Sequence, residues 1–346
     1  MNDKTRLPDY CAPLPVRADG TEATAALGEF RFESGEQLNG LTIGYTTYGS
    51  LNAARDNAIL IMPGTANTRH SADGYIGPGQ ALDTDTHFII ASDAIGAGTS
   101  SRPSEGMRGS FPRYSVRDMV HAQHRLITEV LGLRTLKAIA GASMGAFQAL
   151  EWAIHYPATA RAGVLMVPAV AAGNIFRSVV TSLIGIIKAD PLWCDGRYTA
   201  PPLGGLRLAG QVYFPWTVAD EFLQSLSPDE LAREMRITIE RSAGWDAWDL
   251  IRRYEASSGH DITVPFNGDM RAALARVQIP LLIMPTTTDR LLGVTGARSI
   301  ATHAANAVYA EINSARGHLG WRPVPGSPEM DKITRQTLAF LQEIGS

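Results

Sequence analysis

Short, uninterrupted apolar runs punctuate the chain, and amphipathic stretches separate them. The runs lie at 42–48 (TIGYTTY), 58–62 (AILIM), 87–92 (HFIIAS), 136–140 (LKAIA), 162–167 (AGVLMV), 279–284 (IPLLIM) and 307–312 (AVYAEI). Most are short and continuously apolar, which predicts strands buried on both faces of a parallel sheet. Between several of them, apolar positions recur three and four apart, at 116–131 (VRDMVHAQHRLITEVL), 144–156 and 329–344. That spacing predicts amphipathic helices. Strands alternating with helices make an α/β fold, a mostly parallel central sheet flanked by helices.

One stretch breaks the alternation. From about 169 to 275 helical periods recur near 171–188, 217–225, 228–241 and 244–257, with Pro and Gly punctuation at DPLWCDGRY and APPLGG. Strand pattern resumes at Val277. We expect a core built from residues 1–168 and 276–346, with 169–275 inserted as a helical lid. Its Phe176, Trp193, Tyr213, Phe214 and Trp216 are expected to line an apolar pocket or to pack the lid on the core.

Composition narrows the class. A chain of 346 residues, 45% hydrophobic and 19% charged, can bury a substantial core and is not a disordered polymer. The balance of 31 basic and 34 acidic side chains gives a net charge of −3. No block of like charge stands out, so neither nucleic acid nor a membrane surface is an expected partner. No apolar run approaches the roughly 20 residues of a membrane span. The opening MNDKTRLPDYCAPLPVRADG lacks the apolar segment of a secretory leader. Cys11 and Cys194 are too few for a metal motif or a disulfide framework, and they fit a reducing cytoplasm.

The chemistry concentrates at LKAIAGASMGAFQALEWAIHYP, 136–157. This reads as a buried strand, a Gly-Ala-Ser-Met-Gly turn and a helix starting near Met144. A sharp strand-to-helix turn leaves room only for small residues at Gly141 and Gly145, and it presents Ser143 at the carboxyl end of the sheet. A serine nucleophile needs a base, and the base an orienting acid, in chain order Ser, acid, His. Among the histidines that follow, His303 falls in a helical period and His260 in the insertion, whereas His318 sits in the loop SARGHLGW after the last strand. His318 is therefore the expected base. His155, on the elbow helix, is read as structural. Asp289, in the loop TTTDRLLG after IPLLIMP, is the chosen acid, with Asp331 and Glu311 as formal alternatives.

A tetrahedral intermediate requires two N–H donors. Met144, at the start of the helix, supplies one through its backbone. Thr65, in the loop MPGTANTRH after AILIM, supplies the other. Gly64, Leu319 and Trp321 are expected in the substrate pocket. The Gly-rich loop at 93–103 (DAIGAGTSSRP) lacks dinucleotide and P-loop spacing and is read as pocket wall. The arginines of the insertion (Arg177, Arg197, Arg207, Arg233, Arg236, Arg241, Arg252 and Arg253) could bind an anion or simply face solvent. Chemistry of this kind needs no metal or redox cofactor.

These residues resemble a known family. GASMGAFQALEWAIHYP looks like the elbow of homoserine O-acetyltransferases, within the α/β-hydrolase superfamily. The segments LTIGYTTYGSLNAARDNAILI, IGPGQALDTDTHFIIASDAIGAGTSS and FPRYSVRDMVHAQHRLI extend the likeness, and DPLWCDGRY and GLRLAG echo its helical lid. The resemblance implies an α/β-hydrolase fold, an acyl-serine mechanism with Ser143, Asp289 and His318 on the triad positions, and a homodimer built through the lid helices. Three features depart from it. Leu319 stands where the family places an acidic residue after the histidine, Pro-Gly-Thr replaces the family's His-Ala-Leu, and the lid's Arg-Phe-Asp segment is replaced by GWDAWDLIRRY. They point to the branch that passes a small-molecule acyl group to water, as a carboxylic ester, amide or thioester hydrolase. Two other readings stand beside it: an O-acyltransferase using acetyl-CoA, and a non-catalytic binding module of the same fold.

Overall fold

The computed structural model describes residues 14–344, and Cys11 lies outside them. In chain order the elements are β1 (Thr21–Arg31), β2 (Gln37–Tyr48), β3 (Ala58–Met62), β4 (Phe88–Ser92), α1 (Val116–Arg125), β5 (Ala138–Ala142), α2 (Met144–His155) and β6 (Gly163–Met166). Then come α3 (Asn174–Lys188), α4 (Leu203–Thr217), α5 (Asp220–Ser225), α6 (Pro228–Ala243), α7 (Ala247–Ser258) and α8 (Met270–Leu274). The chain closes with β7 (Leu281–Met284), α9 (Thr295–His303), β8 (Ala307–Tyr309) and α10 (Pro328–Glu343).

The strands form one sheet in the order β1-β2-β4-β3-β5-β6-β7-β8. β1 to β2 and β2 to β4 pair antiparallel, and every other pair is parallel. Alternate strand residues feed opposite faces, as the two-residue period of a strand demands. Leu60, Ile139, Leu165 and Ile283 pack with Leu150 and Trp152 of α2 on one side. Ile59, Ala140, Met166 and Leu282 pack with Phe340 and Leu341 of α10 on the other. Burial on both faces is why these strands read as continuous apolar runs.

Two elements escape the sequence pattern. β1 is an edge strand whose exposed face carries Glu22, Thr24 and Glu29, and bulges at Gly28 shift its register, so TEATAALGEFR alternates only in part. α4 covers a stretch that its glycines mark as broken. Those glycines are contact surfaces. A Cβ on Gly205 would stand 3.0 Å from the Ile186 carbonyl of α3, and one on Gly210 would stand 2.8 Å from the Thr238 carbonyl of α6. Helix α4 is thus wedged between two others with its backbone nearly touching both.

Between β6 and β7 the chain is helical. Its helices share an apolar cluster of their own (Phe176, Leu183, Trp193, Leu206, Leu250 and Tyr254), joined by Leu291 from the loop after β7. This segment faces the carboxyl ends of the parallel strands, where the elbow turn opens. No helix among the described residues is long and apolar enough to cross a membrane.

Candidate active site

Ser143 links β5 to α2 with φ 57° and ψ −123°, a region that L side chains rarely adopt. The surrounding backbone enforces it. Ser143 N–H donates to the Met166 carbonyl at 3.0 Å, and the Ser143 carbonyl accepts from Ala146 and Phe147. The flanking glycines are sterically required. A Cβ on Gly141 would lie 2.3 Å from the Gly145 carbonyl, and a Cβ on Gly145 would lie 2.2 Å from the Met62 carbonyl. β3, β5 and α2 can therefore close around the serine only without those side chains.

The structure brings Ser143, His318 and Asp289 into one line. His318 Nε2 stands 2.9 Å from Ser143 Oγ, and His318 Nδ1 stands 2.7 Å from Asp289 Oδ2. A carboxylate beside Nδ1 makes that nitrogen the donor and leaves the Nε2 lone pair facing the serine hydroxyl. The other carboxylate oxygen, Asp289 Oδ1, accepts from Leu291 N–H at 2.8 Å and Leu292 N–H at 3.1 Å, so the acid cannot rotate freely. Asp289 and His318 are buried and Ser143 is half-buried, which opens the line only at its serine end. His318 occupies a tight turn, Gly317–Trp321. A Cβ on Gly320 there would meet Thr286 Oγ1 at 2.9 Å.

The other candidates lie elsewhere. Asp331 is exposed on α10, and Glu311 contacts Tyr309 and Arg298. His260 is buried, stacked on Phe147 and bonded to the Ala169 carbonyl. His303 bonds to its own helix at Ser299, and His155 lies 3.2 Å from Glu151.

Met144 opens α2, so its N–H has no partner within the helix. Thr65 follows β3 and lines the same cavity as Ser143 and His318. A buried amide chain ties this loop to α2: Trp152 Nε1 donates to Gln123, Gln123 to Gln148, and Gln148 Nε2 to the Pro63 carbonyl at 3.0 Å.

The cavity is narrow, about 70 Å³, and opens beside a wider cleft of about 720 Å³. Leu319, Trp321, Tyr213, Leu250 and Tyr254 supply much of its wall. Burial pushes the Tyr213 hydroxyl up, helped by the charge of Asp289, and burial raises Tyr254 likewise, so both remain O–H groups. Gly64 is not among the residues lining the cavity, but it lies beside the serine, where a Cβ would stand 3.8 Å from the Ser143 Cβ. Of the five aromatics singled out in the insertion, Tyr213 reaches the cavity, while Phe176, Trp193 and Phe214 are buried in helix packing. Trp216 is half-buried under Arg290.

The Gly-rich loop does serve as wall: Ala97 and Gly98 line the wider cleft. Buried Asp93 holds the loop's shape by accepting from Arg69 N–H at 2.8 Å and Thr99 N–H at 3.1 Å. The insertion's arginines divide. Arg177 bonds to the Ala172 carbonyl, Arg252 pairs with Glu255, and Arg207 with Glu240. Arg241 faces the cavity. Arg253 is wholly buried against the Thr65 loop, a placement sequence reading missed. Its signal was a charge three residues after Leu250 on the apolar stripe of α7. No group of three or more His, Cys, Asp or Glu side chains among the described residues is placed to hold a metal ion.

Residues 57–317 match the α/β-hydrolase fold family, and the chain belongs to it. Within that family it is similar to homoserine O-acetyltransferases: it is 32% identical to the Leifsonia xyli protein of that name over 348 residues, covering 87% of this chain and 85% of the relative. The acetylester hydrolase from Corynebacterium glutamicum superposes with a TM-score of 0.87 at 25% identity, over 93% of this chain and 96% of that one. The homoserine O-acetyltransferase from Bacillus anthracis superposes with a TM-score of 0.83 at 25% identity, over 93% and 97%. Relatives of both reaction types thus share this architecture.

Proposed function

We propose that the protein is a serine hydrolase that cleaves small carboxylic esters through an acyl-serine intermediate. His318 Nε2 takes the proton as Ser143 Oγ attacks the ester carbonyl. The oxyanion sits between the N–H groups of Thr65 and Met144, where fixed donors stabilise charge that develops only in the transition state. Asp289 holds the imidazole in the required tautomer and stabilises the imidazolium. The imidazolium gives its proton to the departing alkoxide, leaving acyl-Ser143. Water, deprotonated by His318, attacks the acyl carbon. Collapse releases the acid, and the proton returns to Ser143.

The observation that carries hydrolysis over transfer to an amino-acid acceptor is the charge of the cavity wall. Its charged lining residues are Arg241 and Arg322, and Leu319 follows the base. Among the described lining residues no carboxylate is present to pair with an ammonium group. A cavity of about 70 Å³ favours a short acyl group. The acyltransferase reading draws its support from the relatives' names and shares every step up to the acyl-enzyme.

The test is turnover of p-nitrophenyl acetate by wild type and Ser143→Ala, with products partitioned in the presence and absence of homoserine. Acetate alone from wild type, with an inactive variant, supports the hydrolase. Accumulating O-acetylhomoserine makes the enzyme a transferase. Equal activity in the variant removes Ser143 from the mechanism.

A further inference from the structure

Arg253 on α7 is completely buried, yet it meets no carboxylate within ion-pairing distance among the described residues. Its guanidinium is satisfied by main-chain carbonyls. Nη2 donates to Gly64 at 2.6 Å and Asn67 at 3.3 Å, Nη1 donates to Ile95 at 3.1 Å, and Nε donates to Thr65. Three of these four carbonyls belong to the loop that carries the Thr65 N–H.

The consequence follows from peptide geometry. In a trans peptide the C=O and N–H bonds point in opposite directions across one rigid plane. The Gly64 carbonyl and the Thr65 N–H belong to the same plane, and none of the described peptide bonds is cis. By pulling the Gly64 oxygen toward itself, Arg253 turns the Thr65 N–H the other way. The Thr65 carbonyl on Nε does the same for the Ala66 N–H. Thr65 and Ala66 both line the cavity that holds Ser143.

We propose that Arg253 is a positioning residue for the oxyanion hole: it clamps the 64–67 loop by its carbonyls and so aims the Thr65 N–H at the reacting carbonyl oxygen. The proposal rests on the acyl-serine reading. A flipped Gly64–Thr65 peptide would present an oxygen, not a hydrogen, to the developing negative charge. Only a planar, multi-donor cation can hold these diverging carbonyls at once; a lysine ammonium concentrates its donors at one point. The charge of the buried guanidinium, just behind the loop, adds a favourable potential for an oxyanion.

The experiment compares wild type with Arg253→Lys and Arg253→Met. Active sites are first counted by a fluorophosphonate probe, so that misfolded protein is excluded from the rates. Per titrated site, kcat is expected to fall about 10²- to 10³-fold, the cost of losing an oxyanion donor, with KM changed less than about threefold. The inhibition constant of a trifluoromethyl ketone, which forms an oxyanionic adduct with serine, is expected to rise in parallel with the loss of kcat/KM. Unchanged kcat per site and unchanged ketone affinity would overturn the proposal, because a merely structural role lowers the number of sites and not their chemistry.

If neither variant yields titratable protein, a crystal structure of the wild-type ketone adduct decides. The adduct oxygen within about 3.2 Å of Thr65 N, with the Gly64 carbonyl still on Arg253, supports the clamp. An oxygen turned away from that loop overturns it. Failure of wild type to take up the fluorophosphonate at Ser143 would instead sink the acyl-serine reading itself.

Discussion

Asp289 divides its two carboxylate oxygens between His318 and the backbone: Oδ2 faces Nδ1 at 2.7 Å, while Oδ1 accepts two N–H groups from Leu291 and Leu292. The replacement Asp289→Asn separates these duties. The amide oxygen can keep both backbone bonds, but the amide nitrogen then faces Nδ1 as a donor and favours the wrong imidazole tautomer. The expected result is a loss of about four orders of magnitude in kcat with the melting temperature nearly unchanged, read by ester turnover and thermal unfolding.

The strained backbone at Ser143 is a stability cost, and on the proposed mechanism it serves to present the hydroxyl. Its φ of 57° is open to glycine without penalty. Ser143→Ala keeps the strain and Ser143→Gly removes it, and both delete the hydroxyl. We expect both to be inactive and the glycine variant to be more stable than the alanine variant by about 1 kcal/mol, the strain relieved less the added freedom of the unfolded chain. Urea denaturation midpoints of the pair check this.

Asp249 on the wall of the wider cleft gives a pH signature. Burial pushes its carboxyl from 3.8 up to about 6, against the hydrogen bonds from Ser104 N–H at 2.8 Å and Ser104 Oγ at 2.6 Å. Asp246 raises it further, and Arg102, 3.9 Å away, lowers it. Between these two values the folded protein binds more protons than the unfolded chain. Stability therefore falls as pH rises through that window and stays lower above it. Asp249→Asn keeps both Ser104 contacts without the charge. It is expected to match wild type near pH 4 and to exceed it near pH 8 by on the order of 1–2 kcal/mol, measured by denaturation at the two pH values.

Leu319 lines the cavity beside the base. Leu319→Asp would place a carboxylate where an ammonium-bearing acceptor could pair with it. With an acetyl ester as donor and homoserine present, the share of O-acetylhomoserine is expected to rise about tenfold over wild type, the worth of one ~1.4 kcal/mol contact. Product analysis by mass spectrometry reads the partition, and an unchanged ratio would show that acceptor choice is set elsewhere.

Much of this site was legible because its chemistry demands local patterns. Gly141 and Gly145 mark the elbow through steric need, and Asp289 and His318 lie in the loops that follow two strands marked by apolar runs. The misses share a physical cause: they depend on contacts between distant segments. α4 reads as a broken stretch until α3 and α6 are seen pressed on Gly205 and Gly210. β1 goes unassigned because its register shifts at Gly28 and its pattern alternates only in part. The loop beside Ser143 bonds to Arg253, whose guanidinium reaches the Gly64 carbonyl from 189 residues away along the chain.

Ser143 and His318 are separated by 175 residues, with Asp289 another 29 before the histidine. A chain emerging from the ribosome therefore possesses the proposed nucleophile long before the proposed base. The elbow strand, β5, pairs with β3 before it and β6 soon after it, but on the proposed acyl-serine reading the hydroxyl beside it stays inert until the last strand and the turn after it have docked. If the proposed function holds, ester turnover in a translation time course marks completion of the sheet, and would appear in one step near the end of synthesis rather than growing with chain length.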